Sequence, residues 1–180
     1  MKRTIKNLAY IVLAAALFIS CGNDASLQRY FVDHQEARHF IAQDFPLSLI
    51  DIDKSRFNDE QQDAYNSVDK LNFLGFKVNE NNMETYQTEL GKVTAILTDS
   101  KYNDLIEFSD KGNKISVKYI GTEEEADEVI VFGSALDKGF GIVRILGDDM
   151  NPEKMVTLIN AMQHANIDKG QVERIMSFFK

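Results

Sequence analysis

The sequence predicts an α+β fold, a meandering, mostly antiparallel sheet of about five strands with helices packed on it. Three observations carry this. Apolar residues recur at helical spacing, behind capping signatures, early in the chain and again near its end. Between them, residues 104–147 hold short runs that alternate or are apolar throughout, as strands do. Turn signals built on Asp-Lys-Gly separate those runs two by two, which is hairpin spacing.

Taken in order, Leu27, Tyr30, Phe31, His34, Ala37 and Ile41 share one helical face, and Pro46 ends that helix because the residue before a proline disfavours it. Residues 47–52 form a short apolar strand or loop. Asn58 with Gln61 is a capping box whose helix reaches Leu71. LNFLGFKV, residues 71–78, is a strand interrupted by Gly75. Asn81 with Glu84 repeats the capping box and opens a helix with Met83, Tyr86, Leu90, Val93 and Leu97 on one side. DLIEFS (104–109) and KISVKYI (114–120) flank Asp110-Lys111-Gly112-Asn113, with Ile115, Val117 and Tyr119 opposite Ser116 and Lys118. EVIVFG (128–133) and FGIVRILG (140–147) flank Asp137-Lys138-Gly139. Both are apolar on successive positions, which predicts central strands covered on both sides. Asn151-Pro152 suits an N-cap and a first helical position. Met155, Leu158, Ile159 and Met162 follow as its stripe. Asp168 with Gln171 opens a last helix carrying Val172, Ile175, Met176 and Phe179.

The first 20 residues read differently. Lys2, Arg3 and Lys6 precede an uncharged, mostly apolar run at residues 8–19, and no acid appears before Asp24. A membrane-spanning helix needs about 20 apolar residues. A basic start, a short apolar run and small residues at its end describe a cleaved signal peptide. The chain's one cysteine, Cys21, stands where the apolar run stops, after Phe18, Ile19 and Ser20. That stretch is similar to a bacterial lipobox, with Phe18 where Leu is usual. The similarity implies that Cys21 takes a diacylglycerol through its sulfur and becomes the first residue of the mature chain. Several acyl chains on one residue hold far better than one, since each buried methylene contributes about 0.8 kcal/mol. The expected organisation is a signal peptide at 1–20, a lipidated tether at 21–26 and one domain at 27–180.

Loss of residues 1–20 removes three positive charges and takes the formal net charge from −8 to −11. Such a chain repels nucleic acid and anionic head groups, so attachment to a membrane falls to the lipid. The mature chain has no free thiol and no disulfide to lean on. At 160 residues it is long enough to rely on its core, burying roughly 70% of its unfolded surface.

The series ELGKVTAILTDSKYNDLIEFSDKGNKISVKYIG, an acidic loop, EVIVFGS, then GFGIVRILGDDMNPEKMVTLI resembles a family of small bacterial envelope lipoproteins, domain of unknown function 4252. The likeness covers residues 40–162. It implies an exported, membrane-tethered α+β domain; the expected location is the outer membrane of a Gram-negative bacterium. It carries over no catalytic residue.

Candidate chemistry is sparse. His34 and His39 are five apart, about 500° around a helix, so they face different ways. His164 stands alone near a helix end. No histidine metal site follows, since zinc needs three or four converging ligands. Asp148, Asp149, Asn151 and Glu153 suggest a calcium loop. Counted from Asp149, however, Lys154 takes the glycine position and Asn160 the bidentate acid. Glu123, Glu124, Glu125, Asp127 and Glu128 form an acidic run that reads as a solvated loop. Gly139 and Gly141 lack the third glycine of a dinucleotide loop, because Arg144 stands there and a strand follows. Arg144 is the odd residue, a cation inside an apolar strand. It is either a paired structural arginine or a weak candidate for binding an anion.

The expectation is therefore a non-catalytic envelope lipoprotein that binds, scaffolds or senses, with no cofactor. Its partners are the membrane, through lipid on Cys21, and another envelope protein. The periplasmic or the cell-surface side stays open. The alternatives are a carboxylate-based hydrolase or carbohydrate-active enzyme, with two acids about 5–9.5 Å apart across a cleft, or a carrier with an apolar cavity.

Overall fold

The computed structural model describes residues 26–47, 54–162 and 177–179. The expected signal peptide, the lipobox-like stretch, Cys21, His164 and the helix expected from Asp168 lie outside the described residues, apart from 177–179. The element order is α1 (Leu27–His34), β1 (Phe40–Pro46), a single 3₁₀ turn (Lys54–Arg56), α2 (Asp59–Asn66), β2 (Val68–Lys77) and α3 (Met83–Leu97), followed by β3 (Asn103–Asp110), β4 (Asn113–Gly121), β5 (Ala126–Ala135), β6 (Gly139–Met150) and α4 (Pro152–Met162). The six strands form one sheet in the order β1-β2-β6-β5-β4-β3, and every pair is antiparallel. The expected α+β class holds, with one strand more than the five read from the sequence.

The extra strand is β1. The helix predicted through Ile41 stops at His34. His39 then turns the chain with a positive φ of 71°, and Phe40 to Pro46 pair with β2. Pro46 lies on an edge strand, where a missing N–H costs no ladder bond. α2 likewise ends early, at Asn66 rather than Leu71. Ser67 closes it, its hydroxyl donating to the Ala64 carbonyl, and β2 begins at once. In both places a helix-compatible pattern yields to cross-strand pairing.

Other local readings hold. Asn58 and Gln61 make both bonds of the capping box. Lys111 and Gly112, both at positive φ, form the two-residue turn between β3 and β4, as a tight hairpin requires. The Asn151 side chain accepts from the Lys154 N–H at the start of α4. The second predicted box fails. α3 follows Asn82, not Asn81, and that side chain is buried, donating to the Lys77 carbonyl and accepting from the Asn79 N–H instead of capping.

Helices cover both faces of the sheet. On the first face α1 and α3 pack on Leu74, Phe76, Ile130, Phe132, Phe140 and Ile142. On the second, α2 and α4 pack on Val68, Val117, Tyr119, Ala126, Val129 and Ile145. Since β6 and β5 hold the middle of the sheet, they bury side chains on alternate faces, which explains their unbroken apolar sequence.

Candidate interaction site

The register places one row of side chains across the second face. Ile41, Gly75, Gly141, Gly133, Ile115 and Phe108 stand opposite one another from β1 to β3. Directly paired residues share a face. The middle of this row is therefore three consecutive glycines, a trough three strands wide with larger residues at either end. α2 and α4 pack on the rows beyond it, through Val129, Tyr119 and Ile145, and among the described helices none covers the glycine row.

Among the described residues, side chains fill the trough at the Gly75 end. A Cβ on Gly75 would come within 2.9 Å of the rings of both Phe73 and Phe179, and one on Gly141 within 3.3 Å of Phe73. Phe179 meets Phe73 edge-on, with centroids 6.5 Å apart. At the other end, among the described residues, a Cβ on Gly133 would have only the Lys114 carbonyl oxygen near, at 4.0 Å. Beyond it Ile115 is 50% exposed and Phe108 59% exposed, and they pair across β4 and β3. Leu136, 51% exposed, leans over Gly112 in the turn at this end of the sheet. These are three of the five large apolar residues exposed among the described residues, gathered at one end of the sheet. Clustering of this kind marks an interaction surface more than scattered exposure does.

The first face is closed by buried polar groups. Arg144, on β6, donates from Nε and Nη2 to both oxygens of Glu128 on β5, at 2.6 and 2.8 Å. Both residues are 8% exposed, and the guanidinium lies 5.4 Å from the Phe31 ring centroid. The weak anion candidate thus has an internal anion as its partner. Glu128, read as part of a solvated acidic loop, points inward instead. Period two explains it, since Glu128, Ile130 and Phe132 share the first face.

Glu89 of α3 is a second buried acid. It accepts from the Tyr30 hydroxyl at 2.8 Å and from Lys92 Nζ at 2.7 Å, and His34 Nε2 lies 3.2 Å away. Burial pushes this carboxyl up, but the hydrogen bonds from Lys92 and Tyr30 and the charges of His34 and Lys92 outweigh burial, so it sits below the ordinary carboxylate range. Burial, then the bond to Glu89, drives the Tyr30 phenol far above its usual value. Burial also raises Tyr86 and Tyr102. His34 stacks on Tyr30 and belongs to this cluster, whereas His39 sits in the turn before β1, near Phe76. The two histidines share no site. Sequence spacing could have pointed to Glu89, four residues before Val93 on the buried side of α3.

A cleft of about 140 Å³ opens between α3 and strands β3 and β4, lined among others by Thr94, Thr98, Asp104, Glu107, Ser116 and Lys118. Its two carboxylates are engaged by lysines, Asp104 with Lys118 at 2.6 Å and Glu107 with Lys114 at 3.1 Å. The calcium-loop residues do not converge. Asn151 caps α4, Asp149 has a φ of 54°, and no group of three possible metal-ligating side chains occurs among the described residues. Gly139 and Gly141 belong to the β5–β6 hairpin. None of the described helices is long and apolar enough to cross a membrane.

The sequence profile of domain of unknown function DUF4252 matches residues 33–158. The chain belongs to the DUF4252 family. The matched stretch runs from the end of α1 into α4, so the DUF4252 region includes the whole sheet, the glycine row and the exposed Phe108–Ile115 pair. No curated protein and no solved structure matches the chain.

Proposed function

We propose that this DUF4252 protein is a non-catalytic envelope lipoprotein, held to the membrane by lipid on Cys21, that binds or scaffolds another envelope protein through the open end of its second sheet face. The observation that carries this reading is the cluster of Phe108, Ile115 and Leu136 beside the glycine row, on a sheet whose remaining apolar rows are buried. The lipobox-like stretch and the net charge of −11 after signal removal support the membrane part, because an acidic body needs a lipid to stay at an anionic surface.

Two variants made in the native cell test it. Cys21→Ser should move the protein from the membrane fraction to the soluble one; retention in the membrane would refute the anchor. Phe108→Ser with Ile115→Ser should abolish a specific envelope crosslink while changing stability by only about 0.5 kcal/mol, as exposed positions do. An unchanged crosslink pattern would refute the face.

One observation favours a second reading. The cleft beside α3 holds Asp104 and Glu107, the pair of acids a carboxylate hydrolase would need. Both are more than half exposed and bound to lysines, unlike the desolvated acid of a glycosidase. Asp104→Asn and Glu107→Gln, screened on glycan and ester substrates, would separate the two readings.

A further inference from the structure

Toward β4 the first face of the sheet turns polar. Lys114, Ser116 and Lys118 alternate along the strand, so they share one side, and they lie under the C-terminal end of α3. Ser116 stands opposite Phe132 on β5 and Glu107 on β3. We propose that the cleft lined by these residues binds one neutral, hydroxyl-rich sugar ring and does not convert it. This recognition site is separate from the exposed apolar cluster on the other face.

Ser116 carries the argument. It is 1% exposed, yet its hydroxyl has no hydrogen-bond partner among the described residues. Every fully enclosed polar side-chain atom of those residues has one, so this oxygen still reaches the cleft. A buried hydroxyl left unpaired is costly, and a ligand that pairs with it removes that cost. Lys114 and Lys118 flank it, each about 7 Å away along the strand. Lys118 is itself 9% exposed. Its ammonium has three donors, and the exposed Asp104 lies 2.6 Å from it. Lys114 and Glu107 form a second pair, 3.1 Å apart, nearer to solvent. Each pair keeps spare N–H donors on the lysine and spare lone pairs on the acid. On the helix side, Thr94 and Thr98 donate to the carbonyls of Leu90 and Thr94, which leaves their oxygens as acceptors. Leu97 and Phe132 add apolar surface.

This set of groups selects among ligands. Two lysines and two acids cancel, so the cleft favours neither an anion nor a cation. A zwitterion would have to pull each lysine away from its acid. A sugar hydroxyl donates and accepts at once. It bridges a lysine and its acid with both pairs intact, and another meets the Ser116 oxygen. The apolar faces of the ring suit Leu97 and Phe132. Size agrees as well. The cleft has about 140 Å³, and a cavity of about 150 Å³ holds one benzene ring. A single six-membered ring therefore fits, with its substituents directed to the open mouth.

Residues 21–180 with Cys21→Ser, isotope-labelled, carry the test through amide shifts on titration. The probes are glucose, galactose, mannose and N-acetylglucosamine, with glycine, acetate and inorganic phosphate beside them. At least one sugar should give saturable, millimolar shifts in β4 and the end of α3, and the three charged probes should give none. Ser116→Ala should weaken that binding about five- to tenfold. Ser116→Val, which fills the cleft, should abolish it. Neither should lower the urea midpoint, since no internal hydrogen bond is lost. No saturable shift from any sugar would overturn the proposal. So would tighter binding of glycine, acetate or phosphate, or sugar binding unchanged in both Ser116 variants. Phe108→Ser with Ile115→Ser should leave sugar binding as it was, because those side chains face the other way. The envelope crosslink is read from that face, so failure of the sugar titration leaves the partner-binding reading standing.

Discussion

Removing Arg144 tests what the one cation in the central strands does. Its guanidinium fills both oxygens of Glu128, and both side chains are almost fully buried. Arg144→Met leaves a buried carboxylate with no counter-charge and two empty acceptors. Breaking a buried pair from one side costs about 3–5 kcal/mol, most of it the penalty on the abandoned charge. At roughly 2–4 °C per kcal/mol for a domain of this size, melting should fall by about 6–20 °C. Glu128→Leu should cost a similar amount, since it strands the guanidinium. The double variant, Arg144→Met with Glu128→Leu, removes both charges. It places apolar groups beside Phe31 and Ile130, so it should lie within about 1 kcal/mol of the parent. Urea unfolding of the four proteins, fitted with a common slope, closes the cycle. A single variant that costs under about 1 kcal/mol, or a double variant that costs the sum of the singles, would refute the pairing. Loss of partner binding by Arg144→Met at unchanged stability would return Arg144 to an anion-binding role.

Three further outcomes follow. Glu89 is held below the ordinary carboxylate range, so its contribution is present above its unfolded value, about 4.3, and is lost as pH falls through the lower folded value. Glu89→Gln should therefore flatten the acid side of the stability profile, read as urea midpoint against pH, and an unchanged slope would contradict the cluster. Tyr30 is raised, so its contribution is intact below the ordinary tyrosine value, about 10, and is lost as pH climbs above it. Tyr30→Phe should soften alkaline unfolding without abolishing it, because Tyr86 and Tyr102 shift the same way. Gly139→Ala should cost about 3 kcal/mol or more in thermal unfolding, since its φ of 119° suits only glycine and a Cβ would run into the Phe76 carbonyl. A loss below about 1 kcal/mol would show that the hairpin relaxes at no great expense.

The legible parts of the fold were those set by local chemistry. The Asn58–Gln61 box, the Lys111-Gly112 turn and the Asn151-Pro152 start all depend on residues within four positions of one another, and all are as read. β1 was hidden because Phe40 and Ala42 face one side while Ile41 and Phe45 face the other. A strand with apolar residues on both faces has no period to detect. Its identity is decided by β2, 30 residues away, and local spacing says nothing of that. Glu128 was misread for the same reason, since only the register with β6 brings Arg144 beside it. The glycine row was invisible in principle. Gly75, Gly133 and Gly141 are ordinary strand glycines until antiparallel pairing lines them up. Cys21 lies outside the described residues, so its reading stands on four residues of sequence alone.

The two faces of the sheet bear differently on function. On the first, the buried charges of the central strands and α3 are matched inward. Glu128 meets Arg144, Glu89 meets Tyr30, His34 and Lys92, and no buried side-chain atom among the described residues lacks a hydrogen-bond partner. A ligand at these buried groups would have to break bonds that already exist. On the second, Phe108 and Ile115 offer exposed apolar surface with few internal bonds to break. Burial there contributes about 25 cal/mol per Å² at little polar cost. The buried ionisable groups hold the fold together, and the exposed apolar end is where burial has binding energy still to give. For the proposed partner-binding role, that asymmetry directs mutagenesis first to Phe108, Ile115 and Leu136.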